Sequence, residues 1–290
     1  MNLQTLIFQL LNGLVWGLIL ALITLGLTLI FGILSIINIA HAALYMLGAV
    51  LAWEVIQYTG SFWAAMVIAP LLVGLVSVAI ERVVLRPISG NFVLSILATL
   101  GMLFIIQDTV LATFGGGLQR IANPIRGTMS IFGLHYPYYR LFVAGVSIST
   151  MLVVWVFLNR TKYGLWIRAV KQDPQIATAM GIPVSIVYMS TVALGGILAG
   201  LSGVLAGPIV AIEYQMGLKI LAYSFIIVVV GGFGSIMGSI VVAVVIGCLD
   251  GVFTTYFPAS EARIMTLVLV SLILLLRPEG IFRARRETVI

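Results

Sequence analysis

Apolar runs of about 20 residues recur along almost the whole chain, at 5–30, 40–58, 62–80, 92–115, 141–158, 185–208 and 262–276. Repeated runs of this kind are the transmembrane signature, because ~20 helical residues cross a hydrocarbon core ~30 Å thick. From 218 to 257 a further apolar stretch is broken by "GGFGSIMG" and reads as two spans. Backbone groups in lipid must be paired within their own segment, so runs this long predict helices and not a barrel of short alternating strands. The predicted fold class is all-α: a polytopic membrane protein with 8–9 transmembrane or re-entrant helices, forming one transmembrane domain over 1–290. The count turns on 31–40 and 231–238, which could be re-entrant.

One short polar stretch stands apart. "VKQDPQIATAMGIPV", residues 170–184, reads as a helix with both ends specified. Asp173 suits an N-cap, and Pro174 suits the first helical position, where no N–H is needed. Gly181 suits a C-terminal stop with positive φ, and Pro183 forbids continuation. A helix from Pro174 to about Met180 is too short to be stable alone, so something must hold it. Ile176 and Met180 are i, i+4 neighbours and make one apolar ridge, while Ala177 and Ala179 keep the helix slim. Such a ridge fits the membrane surface or a groove on a partner protein.

Composition and charge narrow the setting. Hydrophobic residues make up 62% of the chain and charged residues 8%, against about 25% charged in a soluble domain. The single cysteine, Cys248, excludes an internal disulfide and reads as a buried thiol. The net charge of +6 sits in short loops between greasy runs, a pattern of membrane orientation and not of nucleic-acid binding. Ten of the fifteen basic residues fall in three segments: Arg82 and Arg86; Arg160, Lys162, Arg168 and Lys171; and Arg277, Arg283, Arg285 and Arg286. The positive-inside rule places these segments in the cytoplasm, including the 159–184 loop and the C-terminus, with the N-terminus outside. Arg120, Arg126, Arg140, Lys219 and Arg263 then fall outside. No cleavable signal is expected, because "MNLQTLIFQLL" has no basic region.

Catalysis is not indicated. The two histidines, His41 and His135, have no carboxylate cluster around them. No H-E-x-x-H, G-x-S-x-G, C-x-x-C or G-x-x-x-x-G-K-[ST] pattern occurs, so neither a metal nor a nucleotide site is expected in this chain. Four acids, Glu54, Asp108, Glu213 and Asp250, lie within or beside spans. A charge at the bilayer centre costs roughly 2.5–3.5 kcal/mol on insertion scales, so each needs a partner, a wet cavity or a proton. No basic residue lies at helical spacing within the span of Asp108 or Asp250, which leaves proton coupling and hydrogen bonding between helices as alternatives. Tyr136, Tyr138 and Tyr139 beside Arg140 read as an interfacial aromatic belt or as a docking surface for an external partner.

The chain also carries an internal echo. Gly32, Ser35 and Asn38 match Gly232, Ser235 and Gly238 at a constant offset of 200, each set interrupting an apolar run. Paired glycine-interrupted segments in the two halves of a transporter point to a substrate route at the midplane; glycine in membrane helices also serves close packing. Gly32, Ser35, Asn38, His41, Gly232, Ser235 and Gly238 are therefore the candidate route residues.

Five stretches together carry a resemblance. Gln175, Ile176, Ala177 and Gly181 stand in the register of the Glu-Ala-Ala, three residues, Gly pattern of ABC-importer coupling helices, with Gln175 in place of Glu and Ile176 in place of the first Ala. "GLTLIFGILSIINIAHAALYMLGA" (26–49), "GLWIRAVKQDPQIATAMGI" (164–182), "VVGGFGSIMGSIVVAVVIG" (229–247) and "LLRPEGIF" (275–282) resemble signatures of branched-chain amino acid permeases. The chain thus resembles the H-type permease subunit of a branched-chain amino acid ABC importer, a family whose members also move urea, short amides and other hydrophobic or aromatic compounds. The resemblance implies a bacterial inner-membrane subunit that binds no cofactor itself. Its implied partners are a second homologous permease subunit, two cytoplasmic ATP-binding subunits that use ATP and Mg, a periplasmic substrate-binding protein and the lipid bilayer, with no nucleic acid. It also implies an ATPase-coupling role for Arg168, Asp173, Gln175, Ile176, Ala177, Met180 and Gly181. The competing reading is an ATP-independent secondary transporter or channel for a small neutral solute.

Overall fold

The computed structural model describes residues 3–88, 91–131 and 134–276. The first apolar run is one continuous helix, α1 (Leu3–Leu34), ~48 Å long at 1.5 Å per residue. Every residue from Leu18 to Ile30 is buried, as befits a helix that is apolar on all sides and sits at the centre of the bundle. Residues 35–40 leave helical geometry before α2 (His41–Thr59). Gly60 at φ 67° and the Ser61 cap then turn the chain into α3 (Phe62–Ile80), which runs on through a π-helical turn, Glu81–Leu85. Glu81 is buried there and pairs with Arg86 at 3.2 Å.

Asn91 caps α4 (Phe92–Phe114) by accepting from the Leu94 N–H at 3.1 Å. An antiparallel hairpin follows, β1 (Thr128–Ile131) and β2 (Leu134–Pro137), with Thr128 opposite Pro137. Then come α5 (Tyr138–Arg160), α6 (Lys162–Gln172), α7 (Pro174–Ala179) and α8 (Val184–Ala206). An irregular segment, 207–215, leads into α9 (Met216–Gly231), α10 (Ile236–Phe253) and α11 (Ala259–Leu276). Among the described residues seven helices, α1 to α5, α8 and α10, are long and apolar enough to cross a membrane, while α9 has only 16 residues. The 218–257 stretch is thus two helices broken at 232–235, and the first break falls at 35–40.

Small residues let the central helices touch. A Cβ placed on Gly247 of α10 would lie 2.4 Å from both the carbonyl oxygen of Gly13 and the Cα of Gly17 in α1. Close backbone approach of this kind drives helix association where lipid offers no hydrophobic advantage.

Hydrogen bonds sort the connections onto two faces. On one, Arg86 reaches the Ser185 carbonyl at 3.5 Å and Lys171 reaches the Gly234 carbonyl at 3.4 Å. The end of α1, the turn after α3, the α6–α7 segment and the 232–235 break therefore share this α7 face. On the other, Gln119 and Ile212 exchange two backbone bonds of 2.9 Å, and Arg140 donates to Asn12 Oδ1 at 2.5 Å. This is the hairpin face.

The three tyrosines beside Arg140 do not form a belt. Tyr136 and Tyr139 are buried, with Tyr139 donating to the Leu205 carbonyl at 2.9 Å and its ring 6.0 Å from that of Phe62; only Tyr138 is exposed. The hairpin folds two of the rings inward, and burial holds the Tyr136 phenol above its ordinary pKa. Arg277, Arg283, Arg285, Arg286 and most of "LLRPEGIF" lie outside the described residues.

Candidate functional site

Local chemistry sets α7 at both ends. Asp173 Oδ1 accepts from the N–H groups of Gln175 and Ile176 at 2.7 and 2.9 Å, and Pro174 opens the helix. At the other end Gly181 has φ 80°, its N–H bonds to the Thr178 carbonyl at 2.9 Å, and the Ile182 N–H bonds to the Ala177 carbonyl at 3.0 Å. That pair of bonds is a Schellman stop, and glycine supplies its left-handed residue without Cβ strain. A six-residue helix that would melt alone is thereby fixed.

The apolar ridge points away from the molecule. Ile176 is 60% exposed and Met180 77%. Gln175 and Gly181 are exposed as well. Ala177, grouped above with the coupling residues, faces the other way: it is buried, so its side chain anchors α7 to its own chain instead of offering a contact. Arg168 is exposed, and its Nη1 donates to the Leu158 carbonyl, which ties α6 to the end of α5. A short segment needs one face for anchorage before it has another to present.

Behind α7, α6 reaches the two helix breaks. Lys171 Nζ donates to the Gly234 carbonyl, and Gly32 packs against Gly234, where a Cβ on Gly32 would meet the Gly234 Cα at 3.4 Å. A cavity of about 160 Å³ lies between them, lined among others by Gly32, Asn159, Arg168, Lys171 and Gly234. Lys171 is the residue that sequence reasoning missed here. Its signal was its place in the basic cluster, which served only to set orientation.

The candidate route residues occupy unequal positions. Gly32 is in the last turn of α1 and not in the break. Ser35 adopts φ 52° and is exposed, whereas Asn38 is buried in the unwound segment. His41 opens α2, buried, with Nε2 donating to the Ile23 carbonyl at 3.0 Å. Gly232 ends α9 at φ 91°, and Ser235 caps α10 by accepting from the Gly238 N–H at 3.2 Å. Gly238 lies under Gly231, whose added Cβ would stand 2.7 Å from the Gly238 carbonyl carbon. The 18 residues of α10 run ~27 Å from the 232–235 break toward the hairpin face, so the break sits on the α7 face. Among the described residues no group of three His, Cys, Asp or Glu side chains is placed to hold a metal ion.

A helical bundle with glycine-packed spans, two broken helices and a capped helix projecting from one face defines a polytopic membrane permease. The family described as the branched-chain amino acid transport system permease component matches residues 9–277, and the chain belongs to it: it is an ABC-transporter permease of the branched-chain amino acid transport family. The high-affinity branched-chain amino acid transport system permease protein LivH of Escherichia coli K12 is 27% identical, with 94% of each chain aligned. BraD of Pseudomonas aeruginosa, described in the same words, is 28% identical over 94% of each chain. A putative glucose ABC transporter permease protein, TsgC13 of Haloferax volcanii, is 28% identical over 58% of this chain and 53% of its own. Among solved structures, PsaBC from Streptococcus pneumoniae in complex with Fab matches with a TM-score of 0.50 at 15% identity, covering 90% of this chain and 89% of that one, a likeness of fold alone. As a permease component, the chain works in a transporter complex with other subunits.

Proposed function

We propose that this chain is the membrane-spanning permease subunit of an ATP-binding cassette importer that carries branched-chain or other hydrophobic amino acids, or small amides such as urea, inward. In this reading a second homologous permease subunit completes the route, and a periplasmic substrate-binding protein delivers the solute. Two cytoplasmic ATP-binding subunits consume ATP and Mg, and this chain holds neither. The α7 face and the C-terminus lie in the cytoplasm of a bacterial inner membrane, as the clustered basic residues suggest.

The observation that carries this reading is the exposed pair Ile176 and Met180 on a helix fixed at both ends. Two bare apolar side chains on a rigid stub fit a groove on a partner. The stub is tied through α6 and Lys171 to the 232–235 break and so to the end of α1. Work done on α7 from outside thus has a continuous path to two helices that cross the bundle.

Replacing both ridge residues, Ile176→Asp with Met180→Asp, places charge where an apolar pocket must close, which costs several kcal/mol on docking. The spans should still fold, because neither side chain packs inside the chain. The expected outcome is normal membrane insertion, loss of the ATP-binding subunits during purification and loss of substrate-stimulated ATP hydrolysis. A variant that keeps a fully coupled ATPase overturns the reading.

A further inference from the structure

On the hairpin face, away from α7, the molecule holds a cavity of about 210 Å³. Its lining includes Trp16 of α1, Tyr45 of α2, Glu213 of the irregular segment, Met216 and Lys219 of α9, and Arg263 of α11. The volume lies below the ~300–1,000 Å³ of drug-sized pockets and suits a small metabolite.

The lining combines hydrocarbon with charges of both signs. Glu213 and Lys219 form an ion pair. Tyr223 also lines the cavity, and its hydroxyl donates to Asp250 Oδ1 at 3.5 Å; Thr266 donates to the same oxygen at 3.4 Å. Asp250 is buried behind this layer, and Arg263 acts on it electrostatically. Among the described residues no hydrogen bond engages the Arg263 guanidinium, so its planar fork is available to the cavity.

Two acids and two bases leave no formal net charge around the cavity. A neutral solute such as urea makes no use of separated charges. Lys219 engages Glu213 through Oε1, which leaves the other carboxylate oxygen as an acceptor beside the Arg263 fork, and a solute with a single charge uses only one of the two. An apolar α-amino acid matches every part: its carboxylate meets the Arg263 fork, its ammonium meets Glu213, and its side chain meets Trp16 and Met216. We propose that this cavity binds an α-amino acid as its zwitterion, with Tyr223 and Asp250 as positioning residues. The proposal rests on the import reading above and sharpens it, since neutral amides find no match at this site.

Ala211 lines the cavity and is only half-buried, so it can report occupancy. In the assembled transporter carrying Cys248→Ser, Ala211→Cys is expected to react with a small maleimide. Saturating L-leucine should slow that reaction about tenfold or more, because at about ten times Kd only about a tenth of the sites stay empty. Urea, isovalerate and leucinamide each lack one or both charges and should leave the rate unchanged. Adding Arg263→Gln should abolish protection by leucine while the variant still purifies with its ATP-binding subunits, which shows that the chain is folded. Four results overturn the proposal: protection by none of these solutes, equal protection by all, protection that survives Arg263→Gln, or an unreactive thiol, because a cavity closed to maleimide is closed to leucine. Uptake of L-leucine by the unsubstituted transporter tests the import reading separately. Uptake without protection removes the cavity and leaves import standing; protection without uptake does the reverse.

Discussion

The two ends of this molecule are held in opposite ways. At the α7 face, position comes from local capping: the Asp173 side chain, a proline at the first helical position, a left-handed Gly181 and a stop made of two main-chain bonds. At the hairpin face, the cavity is shaped by long ionisable and aromatic side chains that converge from α1, α2, α9 and α11. Local caps give a small element a fixed shape whatever touches it, which suits the passing of displacement. Converging side chains give chemical selectivity at the expense of rigidity, which suits recognition. The same two helices serve both ends. α1 contributes Trp16 to the cavity and Gly32 to the break, and α10 runs from Ile236 beside the break to Asp250 behind the cavity.

The most severe test of that shared frame is the glycine seam. Gly247→Leu drives a side chain into the Gly13 carbonyl and the Gly17 Cα, both 2.4 Å from where its Cβ must lie. Overpacking of a tight core costs about 1–3 kcal/mol even when side chains can yield, and backbone atoms yield less. The expected result is loss of monodisperse protein, with ATPase association and leucine protection lost together. Gly101→Leu is the matched control, because nothing lies within 4 Å of its added Cβ, and it should purify normally. Loss of one end alone in Gly247→Leu would show that α1 and α10 do not act as a common frame.

A milder change should separate the two ends. Asp173→Ala removes the acceptor for two N–H groups and destabilises α7 by about 1 kcal/mol. Amide exchange over 174–182 should accelerate about fivefold, the factor that 1 kcal/mol commands, with a partial loss of substrate-stimulated ATP hydrolysis. Leucine protection at Ala211→Cys should not change. An equal fall at both faces would mean that the cavity depends on α7 for its shape.

What could be read from the sequence follows the same division. The ends of α7 were legible because a cap, a proline and a glycine act on neighbours within a few residues. The long helices were legible because lipid imposes a simple length rule. The hairpin was not, since four-residue strands in a polar loop leave too short an alternation to register. The burial of Tyr136 and Tyr139 was misread for a related reason: a loop that folds back onto the bundle looks, in sequence, like one that stays at the surface. Asp250 lacked a partner at helical spacing because its partners come from other helices, Tyr223 on α9 and Thr266 with Arg263 on α11. No spacing within one helix encodes such a meeting. The offset of 200 did bring Gly32 beside the second break, yet the contact is with Gly234 and at the α7 face.

The smallest expected effect tests the one polar tie between α6 and the second break. Lys171 Nζ reaches the Gly234 carbonyl at 3.4 Å from an exposed position, so the bond itself contributes at most about 1 kcal/mol. Lys171→Met keeps a long unbranched stem against Gly32 and Gly234 and removes only the donor. Folding, ATPase association through Ile176 and Met180, and leucine protection at the far cavity should all match the parent. What should change is the ratio of solute imported to ATP hydrolysed, because a docked α7 would then move with a looser grip on the break. Lys171→Arg, which restores a cationic donor, should recover most of that ratio. If Lys171→Met leaves the ratio untouched, the path from α7 to the spans runs through the apolar packing of α6 on its neighbours, where Ile167 and Val170 are already buried, and the lysine serves orientation in the membrane alone.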